Sequence, residues 1–261
     1  MADAPDQAAG LRRILRPGRL RVLPVLAGMR GTGKTAIVIA LAHAAARAGL
    51  RVLVLDQSRG DVATALSLTW RRELADLLDG SHDYDEVRLP GPGGCGIVPA
   101  PRGLARLLEA GEDGRRLFGG FLALSAPPQL VILNTLDASG CRLVPAPAEI
   151  LLVARPTRPS ITATYARMKD LVRRHGRQRF RLLVNRADEQ GARALHDNVS
   201  QVARRFLGAE VAYAGAVANG THSCVGGTHP CVGGTHPCVG ETPDLAPLAH
   251  ALERWSLAEF P

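Results

Sequence analysis

The sequence predicts an α/β fold: a doubly wound, mainly parallel sheet with helices on both faces. Short, continuous apolar runs recur along the chain, as in strands buried on both faces, and helical stretches separate them. A glycine-rich loop lies directly between the first apolar run and the first helical stretch. With 261 residues, 46% of them hydrophobic, the chain is long enough to bury a sizeable core.

Six apolar runs are the predicted strands, at residues 19–26, 51–56, 130–133, 149–154, 180–185 and 209–217. Pro24 lies inside the first run and removes a ladder donor, so we expect a distortion there or a strand that begins late. Residues 89–96, LPGPGGCG, are interpreted as a turn-rich connection. Residues 155–176 place Pro and Ser before a helical pattern and predict a helix.

Composition and charge exclude several classes of protein. No stretch reaches the roughly 20 apolar residues of a membrane-spanning helix, and the first residues lack the apolar core of a secretory signal, so we expect a cytoplasmic protein. Three of the five cysteines fall in one repeated segment, which is no disulfide framework. The net charge is +8, but the arginines are spread from Arg12 to Arg254, which disfavours a nucleic-acid partner.

The loop from Gly28 to Thr35, GMRGTGKT, matches the phosphate-binding pattern G-x-x-x-x-G-K-[ST], with a strand before it and a helix after it. Glycines let backbone N–H groups approach phosphate oxygens, and the helix N-terminus adds its positive dipole. Lys34 is expected to bridge the terminal phosphates, and Thr35 to ligate Mg²⁺. The predicted nucleotide-binding residues of the loop are Gly28, Arg30, Gly31, Thr32, Gly33, Lys34, Thr35 and Ala36.

Phosphoryl transfer needs further groups, which in such sheets lie at the carboxyl ends of strands. Asp56 ends the second predicted strand and is the candidate for the magnesium shell. Asp56 and Lys34 are the predicted catalytic residues. The strand at 130–133 leads instead into Asn134, a neutral amide that can hold a water but neither neutralises a metal nor serves as a base. The residues therefore predict nucleotide binding and leave hydrolysis open.

Several stretches, taken in order, resemble the MinD/ParA class of P-loop ATPases, and within it the FlhG/FleN group that sets flagellar number and placement. They are DQAAGLR at 6–12, the loop together with VLVLD, LPGPGG followed by IVPAPRGL, and the ranges 155–176 and 179–208. The resemblance implies ATP and Mg²⁺ as cofactors and an ATP-dependent homodimer. It also implies that the ATP-loaded protein visits the inner face of the membrane through a C-terminal helix.

The resemblance implies protein partners as well. They are a signal-recognition-particle-type GTPase of the FlhF kind, flagellar switch proteins and a flagellar transcription activator. A short N-terminal motif acts on the partner GTPase in this family, although without the resemblance the same residues would read as a frayed amphipathic helix. The resemblance further implies that Asn185 contacts adenine. The residues that match the N-terminal motif are Asp6, Gln7, Ala8, Leu11 and Arg12.

The chain departs from the family pattern where hydrolysis is expected to take place. Met29 stands in place of a signature lysine, and Arg30, which replaces a glycine, could supply that charge. Ser58 stands in place of the second of two carboxylates, and Asn134 in place of a metal-side aspartate. These departures favour a weak ATPase with slow or impaired turnover. A non-hydrolysing adaptor and a decayed duplicate are the alternatives.

A heptad repeat, GTHSCVG followed by GTHPCVG twice, runs from Gly220 to Gly240. Its His and Cys are zinc-ligand types, but the His-x-Cys spacing is tighter than the common ligand gap, so we interpret the repeat as a flexible insert. The tail has apolar residues at helical spacing and lacks a basic face, which favours a helix packed on the domain over a membrane anchor. The tail's apolar residues are Leu245, Leu248, Leu252 and Trp255.

Four ranges summarise the predicted organisation. Residues 1–18 are an N-terminal partner-binding segment, and residues 19–218 are a MinD-like nucleotide-binding domain. Residues 219–241 are the repeat insert, and residues 242–261 are a C-terminal helix.

Overall fold

The computed structural model describes residues 20–123, 127–145 and 148–218, and the backbone of 258–260. Within these ranges the strands are β1 Leu20–Ala27, β2 Val52–Asp56, β3 Leu89–Pro90, β4 Gly96–Pro99, β5 Leu130–Asn134, β6 Ile150–Ala154, β7 Arg179–Asn185, β8 Glu210–Val217 and β9 Ala258–Phe260. The helices are α1 Lys34–Arg47, α2 Asp61–Ala65, α3 Leu74–Leu78, α4 Tyr84–Val87, α5 Pro101–Glu109, α6 Gly111–Leu122, α7 Arg158–His175 and α8 Glu189–Leu207. Short 3₁₀ turns cover Pro92–Gly94 and Ser139–Leu143.

All nine of these strands belong to one sheet, whose order is β3-β4-β2-β5-β1-β6-β7-β8, with β9 paired to β1. The strands from β4 to β8 in this order run parallel, whereas β3 is antiparallel to β4 and β9 is antiparallel to β1. In this order β1 lies between β5 and β6. After β1 the chain continues to β2, on one side of β1, and after β5 it continues to β6, on the other side. The loop after β1 therefore opens at the crevice where ligands of such sheets bind.

Helices cover both faces of the sheet. On one face α1 buries Ile37, Leu41 and their neighbours against alternate residues of β1, including Leu23 and Val25. On the other face α5 and α6 pack against β2, β4 and β5, and α7 and α8 pack against β6, β7 and β8. This arrangement confirms the predicted doubly wound α/β fold.

The six predicted strands are confirmed as β1, β2, β5, β6, β7 and β8, and the helix expected in residues 155–176 is α7. The interpretation of residues 89–96 as a connection was incomplete, because β3 lies in this range and the buried strand β4 begins at its end. At the C-terminus, Ala258–Phe260 form a strand where a helix was expected. The N-terminal segment 1–18, the repeat 219–241 and the tail residues 242–257 lie outside the described residues.

Pro24 does not distort β1, contrary to expectation, because its missing N–H falls where β1 has no partner among the described residues. The N–H of Arg21 and the carbonyl of Val25 both bond toward β5. Since successive residues direct their backbone groups to opposite sides, Pro24 faces away from β5. On that side β9 pairs only as far as Val22, and β6 begins to pair at Val25. The strand therefore runs without interruption from Leu20 to Ala27.

Candidate functional site

The glycines of the loop between β1 and α1 allow a conformation that other residues would not adopt. Gly31 and Gly33 have φ angles of 78° and 85°, in the left-handed region that favours glycine. Gly28 has a different role, since a Cβ there would lie 2.3 Å from the backbone of Ala163 and Thr164 in α7. The loop is thus pressed against α7 at its start and turns sharply into α1 at its end.

Asn185, the last residue of β7, lies directly against this loop. Its Nδ2 donates to the carbonyl of Thr32 across 2.8 Å, and the side chain is almost fully buried. A Cβ on Gly33 would lie 2.2 Å from the same nitrogen, and together with the φ of 85° this contact favours glycine at that position. The structure therefore places Asn185 beside the predicted phosphate-binding residues and shows it holding the loop, a contact that sequence reasoning did not include.

Lys34, the first residue of α1, directs its ammonium group to the backbone carbonyl of Thr135 at the end of β5. Burial lowers the pKa of Lys34 to about 8, and the negative charges of Asp56 and Asp61 only partly oppose this effect. A desolvated ammonium of this kind gains most from an anionic partner. The lysine is therefore electrostatically prepared for a phosphate group.

The carboxylate of Asp56, at the end of β2, is 1% exposed and receives hydrogen bonds from three other residues of the site. The Ser58 hydroxyl lies 2.6 and 2.7 Å from its two oxygens, and the backbone N–H groups of Ser58 and Val62 donate at 3.0 and 3.1 Å. The amide of Asn134, from neighbouring β5, donates to Oδ1 at 2.7 Å. Ser58 and Asn134 stand where the family pattern expects carboxylates, and both side chains donate to the carboxylate of Asp56.

Two buried polar atoms at the end of β5 have no hydrogen-bond partner among the described residues, namely Oδ1 of Asn134 and Oγ1 of Thr135. Buried polar atoms are nearly always paired, so these two fit an arriving water or ligand donor. The same edge carries Lys34, Thr35 and Asp56. This donor set fits Mg²⁺, which Thr35 and Asp56 would hold, with the neutral amide of Asn134 beside them.

The two residues after Gly28 lie on the surface. Met29 is 44% exposed, and Arg30 is exposed without a hydrogen bond or ion pair to the described residues. A different arginine contacts the loop: Nη1 of Arg155, after β6, lies 3.5 Å from the carbonyl of Gly31. No local sequence pattern marks Arg155, and the sequence analysis did not identify it.

The segment after β5 is fixed from two sides. The Gln57 side chain accepts from the N–H of Leu136 at 3.0 Å. Buried Arg177, just beyond α7, donates to the carbonyls of Cys141, Val144 and Pro145. Desolvation lowers the pKa of Arg177 from its ordinary value. These bonds hold the chain that follows Asn134 and Thr135 in one conformation.

Other predicted sites fall partly or wholly outside the described residues. The five residues of the N-terminal motif and the His and Cys residues of the repeat belong to ranges that the structure does not describe. Within the described ranges, no group of three or more His, Cys, Asp or Glu side chains could hold a metal ion. In the same ranges no helix is both long enough and apolar enough to cross a bilayer.

Comparisons with known proteins concern the family and the fold of the chain. Residues 11–222 match the model of the CobQ/CobB/MinD/ParA nucleotide binding domain family. The antiactivator FleN of Pseudomonas aeruginosa is 36% identical over 205 residues, which cover 76% of this chain and 73% of FleN.

Solved structures share the fold at lower identity. A ParA family ATPase from Chlorobium tepidum has a TM-score of 0.58 at 19% identity and covers 77% of this chain and 85% of its own. The septum site-determining protein MinD from Pyrococcus horikoshii, complexed with Mg-ADP, has a TM-score of 0.54 at 17% identity and covers 76% of this chain and 81% of its own.

Proposed function

Since the chain belongs to the CobQ/CobB/MinD/ParA nucleotide binding domain family, we propose that it is an ATP-binding regulator of flagellar number, placement or biosynthesis. It acts through protein partners and hydrolyses ATP slowly or not at all. The identity to FleN over most of both chains supports the flagellar assignment. The observation that carries nucleotide binding is the desolvated Lys34 at the end of a glycine loop in left-handed geometry.

In this proposal the loop and the helix N-terminus hold the phosphates of ATP, and Lys34 contacts the terminal ones. Thr35 and Asp56 hold Mg²⁺, which would neutralise charge on the phosphate oxygens. Asn185 keeps the loop closed through Thr32 and contacts adenine.

Slow hydrolysis follows from the hydrogen bonds that the carboxylate of Asp56 already accepts. Its oxygens accept from Ser58, Val62 and Asn134, so it is poorly placed to accept a proton from water. Asn134 and Ser58 can position a water but cannot take its proton. If each departure lowered the rate about ten-fold, the set would leave little turnover.

The partners of the protein belong to the same proposal. Residues Asp6, Gln7, Ala8, Leu11 and Arg12 stimulate an FlhF-like GTPase, and other surfaces bind a flagellar transcription activator or switch proteins. The protein forms an ATP-dependent homodimer in the cytoplasm and reaches the membrane only transiently. A peptide spanning residues 2–16, added to the partner GTPase, should raise its GTP hydrolysis, and an unchanged rate would remove this role.

One purified sample tests nucleotide binding and turnover together. Wild-type protein should bind Mg-ATP, Lys34→Ala should not, and turnover should exceed that of Lys34→Ala only slightly. Binding without any excess turnover would favour the non-hydrolysing adaptor, which the occupied oxygens of Asp56 also favour. Absence of binding in the wild type would refute both nucleotide-dependent functions.

A further inference from the structure

Arg155 is held beside the phosphate loop by its own backbone. It follows β6, the strand next to β1, and its N–H donates to the hydroxyl of buried Ser160 at 2.9 Å. Its guanidinium reaches the loop, where Nη1 lies 3.5 Å from the carbonyl oxygen of Gly31. Arg155 is separated from Gly31 by 124 positions in sequence, so the sheet order brings the two together.

The guanidinium of Arg155 has unused hydrogen-bonding capacity. Its Nε is buried and has no partner among the described residues, and the contact to Gly31 is at the long limit for a hydrogen bond. Arg167 and Arg177 also have an unpartnered Nε, and the terminal nitrogens of Arg177 are engaged with three carbonyls. Within the described ranges the terminal nitrogens of Arg155 have only the long contact to Gly31, and its buried Nε, a donor without a partner, requires an explanation.

The cationic residues of the loop itself do not point to the β6 side of the loop, where Arg155 lies. Lys34 is directed across the loop toward Thr135, at the end of β5. Position 29 is methionine, and Arg30 is exposed with no partner among the described residues. An anion in the loop would therefore meet Lys34 from the β5 side and Arg155 from the β6 side.

We propose that Arg155 binds the terminal phosphate of the nucleotide held by its own subunit and thereby distinguishes a nucleoside triphosphate from a diphosphate. The planar fork of arginine suits two phosphate oxygens at once, which an ammonium cannot match. This inference rests on the proposed nucleotide binding and assigns to Arg155 the charge for which Arg30 was the candidate from the sequence. Arg155 acts here as a phosphate-binding residue, and no hydrolytic step is attributed to it.

Calorimetric titration with Mg-ADP and with a non-hydrolysable ATP analogue tests the proposal. Arg155→Gln should weaken the analogue about ten-fold while changing ADP affinity by less than about two-fold, as expected for one lost charge-assisted contact. The matched control is Arg158→Gln, which removes the same charge at an exposed position of α7 and should leave both affinities unchanged. Arg155→Lys, which keeps the charge but loses the fork, should be intermediate.

The outcomes separate this inference from the function on which it rests. If Lys34→Ala abolishes binding while Arg155→Gln affects both nucleotides equally or neither, the role of Arg155 is refuted and nucleotide binding stands. If Arg30→Gln changes the ratio of the affinities for the ATP analogue and for ADP, and Arg155→Gln does not, then Arg30 distinguishes the triphosphate from the diphosphate. If wild type binds neither nucleotide, both proposals fail. If Arg155→Gln does not unfold cooperatively, it is not a folded protein and Arg155→Lys takes its place. An unchanged ratio of analogue to ADP affinity in Arg155→Lys then overturns the proposal.

Discussion

The amide nitrogen of Asn134 donates to Oδ1 of Asp56 across 2.7 Å and so connects the carboxyl ends of β5 and β2. A neutral donor at this position satisfies a carboxylate that is almost fully buried. A second carboxylate at the same distance would repel it. We therefore expect Asn134 to stabilise the nucleotide-free protein relative to an aspartate at the same position.

Asn134→Asp should lower the free energy of unfolding of the free protein by about 1–3 kcal/mol at pH 7. The introduced carboxyl group would lie beside Asp56, which raises its pKa in the folded state. Its contribution to stability is therefore complete below the ordinary carboxyl pKa of about 4 and is lost as pH rises through the raised value. Urea unfolding at several pH values measures this. Asn134→Ala is the control, because it lacks the new charge and should show no such pH dependence.

Lys34→Met should stabilise the free protein and abolish its stabilisation by Mg-ATP. Burial lowers the pKa of Lys34 from 10.5 to about 8, so the charged ammonium costs free energy at pH 7. Allowing for the lost bond to Thr135, we expect a gain of about 1–2 kcal/mol. Lys169→Met is the matched control, since Lys169 is the other lysine and is exposed. Thermal unfolding with and without Mg-ATP gives both quantities, and a destabilised Lys34→Met would contradict the prediction.

Nucleotide affinity should depend on pH through the same lysine. Above its pKa of about 8 the free protein holds Lys34 neutral, and binding a phosphate must then bring in a proton. Affinity should be nearly constant from pH 6.5 to 7.5 and about ten-fold weaker at pH 9. Titration calorimetry in two buffers of different ionisation enthalpy detects the proton uptake. Binding at pH 9 without any uptake would show that Lys34 is already charged in the free protein.

Gly28→Ala and Gly31→Ala should differ in stability although both change one glycine of the same loop. The added Cβ at position 28 would lie 2.3 Å from backbone atoms of Ala163, which cannot move without shifting α7. We expect a loss of about 3 kcal/mol. At position 31 nothing lies within 4 Å, so only the φ of 78° opposes alanine, with a cost of about 1 kcal/mol. Chemical denaturation measures both, and equal losses would contradict the proposed packing against α7.

The position of the glycine loop between β1 and α1 was predictable because its pattern is contiguous in sequence and its neighbours identify a strand and a helix. Strand β4 was missed because its four residues, GIVP, follow a glycine-rich turn and carry glycine and proline at their ends. The roles of Arg155 and Asn134 were beyond reach for a different reason. Arg155 contacts Gly31, and Asn134 contacts Asp56, only because the sheet order places β6 beside β1 and β5 beside β2.

Two variants of Asn185 distinguish its contact to the loop from its proposed contact to adenine. Its Nδ2 bonds to the carbonyl of Thr32, and its Oδ1 takes no part in that bond. Asn185→Asp keeps an acceptor for the adenine amino group but loses the donor to Thr32. It should therefore weaken ATP and GTP equally, by about ten-fold, because the loop loses its contact. Asn185→Ala removes both functions and should in addition reduce the preference for ATP over GTP.

Competition titrations with the two nucleotides distinguish these outcomes, and thermal unfolding shows whether the loop contact contributes to the stability of the free protein. Both variants should unfold at lower temperature than wild type, since each leaves the Thr32 carbonyl without its buried donor. If Asn185→Ala retained the wild-type preference for ATP, Asn185 would act only as a support for the loop. Recognition of adenine would then come from residues other than Asn185.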